Sequence, residues 1–172
     1  MPRTRGAGVQ IPFDYQGATH PVVRVQIVYT PTDHYAEVAA YVAYLAKHGK
    51  GTDGGEGEHF DRQGPDVEIA AFISRCWRAP WVFKVMVCPP ADACTTLPLQ
   101  EYAQSWMLQV EADLGCRLDW VAGAHYDTAN PHVQFLWNGR TEAGIIVKID
   151  RHYLSYGLRE RAAEILSLYR GH

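Results

Sequence analysis

Apolar runs alternate with turn-forming residues along the whole chain. Val22 to Tyr29 is β-branched and continuous and reads as a buried strand. Thr30-Pro31-Thr32-Asp33 interrupts it and offers a helix N-cap. From Asp33 to His48 the apolar residues recur at helical spacing, with Val38, Val42 and Leu45 as the stripe. Tyr41 borders that stripe, whereas Tyr44 lies about 120° from its centre and is the more exposed phenol. Gly49 ends this helix, and a glycine-rich loop runs to Gly57. Pro65 to Cys76 reads as a second helix, packing through Val67, Ala70, Ala71 and Ile73 or Ser74. Trp81 to Cys88 is a strand stopped by Pro89-Pro90. In Leu97 to Leu114, Leu99, Tyr102, Trp106, Val110 and Leu114 fall on one helical face, and Gly115 caps it. Trp106 reads as a core anchor.

Two more buried strands follow, Leu118 to Ala122 and Val133 to Trp137, joined by turn residues between Asp127 and Pro131. Asn138-Gly139 and Ala143-Gly144 read as turns, and Ile145 to Ile149 as a further strand. Leu158 to Tyr169 closes the pattern as a helix, with Leu158, Ala162, Ile165, Leu166 and Tyr169 inward. Interleaved helices and largely antiparallel strands predict a two-layer α+β domain over residues 22–172, a central sheet with packed helices. Residues 1–21 show no periodicity and read as a loose arm; disorder is the ordinary reading, phosphate contact the alternative.

Composition narrows the class. The chain has 172 residues, about one domain, and 47% hydrophobic residues are enough for a core. Cys76, Cys88, Cys94 and Cys116 form no Cys-x-x-Cys pair and read as reduced cytoplasmic thiols. No apolar run reaches membrane-spanning length, so no membrane insertion is expected, and no signal peptide is read. The glycine loop lacks a Gly-Lys-Ser/Thr ending, which excludes a P-loop. The formal charge of −3 is unusual for a nucleic-acid protein. The cations Arg140, Lys148, Arg151 and Arg159, with Arg161, cluster late in the chain and offer a local basic surface.

The chemistry concentrates in His125-Tyr-Asp-Thr-Ala-Asn-Pro-His132-Val-Gln134. Strand alternation points His132 and Gln134 to one face, and an antiparallel neighbour can set His125 beside them. Such a neutral nitrogen and oxygen set suits a divalent metal. Hydrogen-bonded turn histidines show the same spacing, so spacing alone leaves both readings open.

The surrounding words add a resemblance. Residues 119–163 resemble the metal-site region of plasmid-mobilisation relaxases of the HUH endonuclease superfamily, in the branch of the T-DNA border endonuclease. Asp-Leu-Gly-x-Arg-Leu-Asp-Trp-Val-Ala precedes the histidines, and Tyr-x-x-x-Gly-Leu-Arg-Glu-Arg-Ala-Ala-Glu follows them. Tyr44-Leu45-Ala46-Lys47-His48-Gly49 is similar to that family's nucleophile word. The likeness is strong over residues 104–166, weaker over 25–72, and absent from the first twenty. Three positions depart from the pattern. Gln134 stands where the family has a third histidine. The strand around Ala79 to Lys84 lacks the family's acidic and histidine residues. Ala129 replaces a usually acidic residue, with Asp127 close by in sequence.

The resemblance implies a relaxase that nicks and rejoins one DNA strand at an origin of transfer through a 5′-phosphotyrosine. Tyr44 would be the nucleophile, and His125, His132 and Gln134 would hold Mg²⁺ or Mn²⁺. The DNA would be single-stranded or a hairpin, contacted by Arg140, Lys148, Arg151 and Arg159. Accessory mobilisation and type IV secretion proteins would be partners. The bacterial cytoplasm, with passage to a recipient cell, would be its place. The alternative is a relaxase-derived module that binds such DNA without cutting it. Relaxases usually continue into helicase, primase or secretion-signal regions, so the resemblance implies either part of a longer chain or a stand-alone core.

Overall fold

The computed structural model describes residues 20–29, 35–47, 59–94, 96–126 and 130–171. The arm up to residue 19, the Thr30–Asp33 break, residues 48–58 with the Gly49 cap and most of the glycine loop, and turn residues 127–129 lie outside the described residues.

Among the described residues, five strands form one antiparallel sheet. They are β1 (Val22–Tyr29), β2 (His59–Phe60), β3 (Trp81–Cys88), β4 (Leu118–His125) and β5 (His132–Thr141), in the order β1-β3-β5-β4-β2. Four helices pack on it: α1 (Tyr35–Lys47), α2 (Ile69–Cys76), α3 (Leu99–Leu114) and α4 (Leu158–Arg170), the last entered through a π-helical turn at Tyr153–Gly157. The α+β class and the antiparallel sheet are as the pattern predicts. Helix-on-sheet packing is made once on each face, α3 and α4 on one side and α1 and α2 on the other.

Strand alternation decides which residues each face receives. Phe83, Trp120, Phe135 and Trp137 go to the α3/α4 side, where Trp106 is fully buried between Phe135 and Trp137 at ring distances of 5.4 and 6.0 Å. Each such aromatic pair contributes about 0.5–1.5 kcal/mol beyond simple burial. Val82, Val121 and Leu136 go to the other side and meet Val38, Val42 and Leu45 of α1. The α1 stripe is therefore the one its spacing predicts.

Four local expectations are corrected. β1 is not buried: it is the sheet's edge, and Arg24, Gln26, Ile27 and Tyr29 are exposed. α2 begins at Ile69 rather than Pro65, so its inward residues are Phe72, Ile73 and Cys76, while Ala70, Ala71 and Ser74 face out. Val67 precedes the helix, so a stripe counted from it does not hold within the helix. Asn138-Gly139 is not a turn but lies inside β5. Asn138 is buried and donates to Asp119 Oδ2 at 3.1 Å, and a Cβ on Gly139 would collide with the Trp81 carbonyl. The glycine serves close approach of backbone, not chain reversal. Among the described residues, Ile145 to Ile149 makes one isolated bridge, Arg140 to Ile146, and no strand before the chain leaves the sheet. The Ala143-Gly144 turn is present, with Gly144 at φ 82°.

The two words flanking the histidines meet as a clasp. Asp113, from the first word, accepts from Tyr153 Oη and Arg161 Nε of the second, both at 2.7 Å. Asp119 accepts two bonds from Arg75, at 2.7 and 2.9 Å, and so ties β4 to α2. These residues hold the central strands in place rather than line the histidine cluster.

Candidate active site

β4 ends and β5 begins at the same point. His125 and His132 are direct register partners, and Gln134 pairs with Gly123. All lie on the sheet face that carries α1. The two imidazoles stack at 5.0 Å with 17° between planes, and His125 is 3% exposed. The Nδ1–H of His132 donates to the Asn130 carbonyl at 2.9 Å, which fixes the tautomer and leaves Nε2 with its lone pair. The Gln134 amide nitrogen donates to that Nε2 at 3.2 Å. The Gln134 Oε1 atom is buried and accepts no hydrogen bond among the described residues.

Gly123 brings α1 to this cluster. A Cβ there would stand 2.5 Å from the Leu45 carbonyl oxygen, so only glycine lets the helix backbone cross β4 at this height. His59 of β2 adds a second anchor, its Nε2–H donating to the Val42 carbonyl at 2.6 Å. Tyr44, one residue before Leu45, is thereby set with its ring 6.1 Å from that of His125. Tyr41 stacks on Tyr44 at 6.2 Å and 18°. The two phenols differ as their helical positions predict: Tyr44 is 41% exposed, whereas Tyr41 packs against the α1/α2 core. Burial, and then the neighbouring Tyr44, push ionisation of Tyr41 well above the ordinary tyrosine range.

Tyr44, His125, His132 and Gln134 are therefore gathered at one place. The late cations are not gathered with them. Arg140 lies eight residues beyond His132 on β5, about 26 Å away at strand rise. Its guanidinium donates to the Arg78 and Gly144 carbonyls. Lys148 and Arg151 are exposed in the segment leading to α4, and Arg159 is exposed on α4 itself, which packs on the opposite face of the sheet.

Sequence reasoning missed three groups on the site's own face: Arg24, Lys84 and His59. The signal for the first two is that each is the lone charge in its strand, Arg24 in VVRVQIVY and Lys84 in WVFKVMVC. Met86 lies opposite Gln134 on β3.

The cluster is two imidazoles and a carboxamide. Among the described residues, no three His, Cys, Asp or Glu side chains come together as a metal site. The donor set still fits a hard divalent cation, because the His132 tautomer is fixed and a buried carboxamide oxygen lacks a donor. Among the described residues, no helix is long and apolar enough to cross a membrane. No protein-family model matches the chain, and no curated protein matches it significantly.

Proposed function

We propose that this chain is a DNA strand transferase of the relaxase type, acting on single-stranded or hairpin DNA at an origin of transfer. The observation that carries the reading is one cluster: an exposed phenol, Tyr44, held 6.1 Å from His125 on the sheet face where His132 and Gln134 converge. A phenol beside an imidazole and carboxamide set suits metal-assisted phosphoryl transfer.

In this reading the Tyr44 oxygen attacks a backbone phosphorus. The bond from phosphorus to the 3′ oxygen breaks, the 3′-hydroxyl leaves with a proton, and a 5′-phosphotyrosine forms. Attack by that hydroxyl reverses the step without ATP. His125, His132 and Gln134 would hold Mg²⁺ or Mn²⁺, whose charge would offset that on the non-bridging oxygens. With its Nδ1–H committed to the Asn130 carbonyl, His132 would offer Nε2 to the ion once the Gln134 amide that donates to it here turns its oxygen that way. Tyr41, half-buried, stacks on Tyr44 and limits its rotation. Mobilisation and secretion proteins as partners, and action in the bacterial cytoplasm before passage to a recipient, belong to the same proposal.

A second reading is a relaxase-derived module that binds such DNA without cutting it. Gln134 within the donor set and Met86 opposite it favour that reading. One assay separates the two. Protein, Mn²⁺ and a pool of single-stranded origin oligonucleotides are run on a denaturing gel. A covalent adduct supports transfer chemistry, binding without an adduct supports the module, and no binding refutes both.

A further inference from the structure

The face that carries the cluster also carries a polar strip toward the open edge of the sheet. Gly123, Gln134, Met86 and Arg24 are successive register partners across β4, β5, β3 and β1. In the next row Leu136 pairs with Lys84, and Lys84 with Gln26. Alternation puts Arg24, Gln26, Lys84 and Met86 on the same side as His132 and Gln134. Arg24 and Gln26 are exposed, and Lys84 and Met86 are half-buried. Lys84 Nζ stands 4.3 Å from the centre of the Tyr41 ring, and Tyr41 in turn stacks on Tyr44. The strip thus runs from an edge arginine through a lysine and two stacked phenols to the histidines.

On the strands its charge is one-sided. β1, β3 and β5 contain no Asp or Glu. Glu37 lines a small hollow with Lys84 and Tyr41. It lies seven residues before Tyr44 on α1, about 10 Å along the helix axis. Cations interleaved with stacked aromatic rings are what single-stranded nucleic acid needs, phosphates on the charges and bases against the rings. Arg24 and Gln134 are two strands apart, about 10 Å, which is a span a few nucleotides can follow.

We propose that this strip is the track of the DNA single strand. Arg24 and Lys84 take backbone phosphates, and the exposed side of the Tyr41–Tyr44 stack takes a base. The strand enters over β1 and brings its next phosphate to Tyr44. This deepens the proposed function and rests on it. It also moves phosphate recognition away from Arg140, Lys148, Arg151 and Arg159.

The test is the salt dependence of binding to a labelled mixed-sequence single-stranded DNA, measured by fluorescence anisotropy. Each phosphate contact contributes about 0.7 to the slope of log affinity against log salt for a single strand. Lys84→Gln and Arg24→Gln should each lower the slope by about 0.7, and Lys84→Arg should keep it. Arg159→Gln should leave it unchanged. Far-UV circular dichroism and thermal midpoints verify that the variants fold, and Lys84→Arg controls for packing at the half-buried site. Binding by the wild type with an unchanged slope in Lys84→Gln and Arg24→Gln, but a reduced slope in Arg140→Gln or Arg159→Gln, would overturn the track and leave the proposed function standing. No binding of any single strand at low salt would overturn both.

Discussion

Gly123→Ala tests whether the candidate site depends on how closely α1 approaches the sheet. A Cβ at position 123 would lie 2.5 Å from the Leu45 carbonyl oxygen and 3.1 Å from its carbonyl carbon. Ordinary carbon–oxygen contacts are longer by most of an ångström, and the opposing atoms are backbone, so the helix itself must shift. Overpacking of this kind costs about 1–3 kcal/mol. Alanine also restricts the unfolded chain, which stabilises by about 0.4–1 kcal/mol where the backbone tolerates it. The two terms have opposite signs, so the result is diagnostic. A net loss of about 1–2 kcal/mol is expected, a fall of roughly 2–8 °C in Tm for a chain of this size. Urea unfolding monitored by circular dichroism measures it. The displaced helix carries Tyr44, so any DNA adduct should form more slowly than in the wild type under fully folded conditions. Gly139→Ala is the control: it collides with the Trp81 carbonyl at the far end of β5. It should destabilise without slowing adduct formation beyond its unfolded fraction. A Gly123→Ala protein as stable as the wild type or more so would refute the seating of α1 on β4.

Further outcomes follow from other contacts. Calorimetric titration of Mn²⁺ should give weak binding by the wild type, because all three donors are neutral, and none by His132→Ala; equal binding by both would contradict the ligand set. Burial raises the Asp113 carboxyl, but hydrogen bonds from Arg161, Tyr153 and Gln109 outweigh it and hold it below the ordinary range. A depressed carboxyl stabilises fully above the unfolded value of about 3.9 and loses that contribution as pH falls through the folded value. The stability gap between wild type and Asp113→Asn should therefore shrink as pH falls from about 5 to about 2, read from urea midpoints; a constant gap would count against the clasp. Burial pushes the Cys76 and Cys88 thiols up to about 12 and Cys94 to about 11. Alkylation of folded protein at neutral pH should therefore mark Cys116 before the other three, as peptide mass spectrometry would show, and earlier labelling of Cys76 would mean that the α1/α2 core opens.

Periodicity made the larger elements legible. The α1 stripe, the α3 face and the inward residues of α4 follow from spacing alone, because each buries one continuous face. Strand parity likewise put His132 and Gln134 on one side. Two signals misled for physical reasons. β-branched content suggests a buried β1, yet Arg24 and Gln26 alternate through it, as suits a strand at the sheet's edge. Asn138-Gly139 matches turn chemistry, yet the Asn side chain bonds Asp119 and the glycine admits the Trp81 backbone, both long-range contacts. The adjacency of Tyr44 and His125 was not legible from spacing. It depends on Gly123 meeting Leu45, residues far apart in sequence, and on a β2 too short to show a pattern.

The most direct test of the central claim is to map the covalent bond itself. Protein is incubated with Mn²⁺ and an origin single strand that it binds, the nucleic acid is digested, and the modified peptide is identified by mass spectrometry. The account predicts a 5′-phosphonucleotide on Tyr44, abolished by Tyr44→Phe with DNA binding retained, and retained in Tyr41→Phe. A modified Tyr41, or bound DNA that never becomes attached to the wild type, would contradict it.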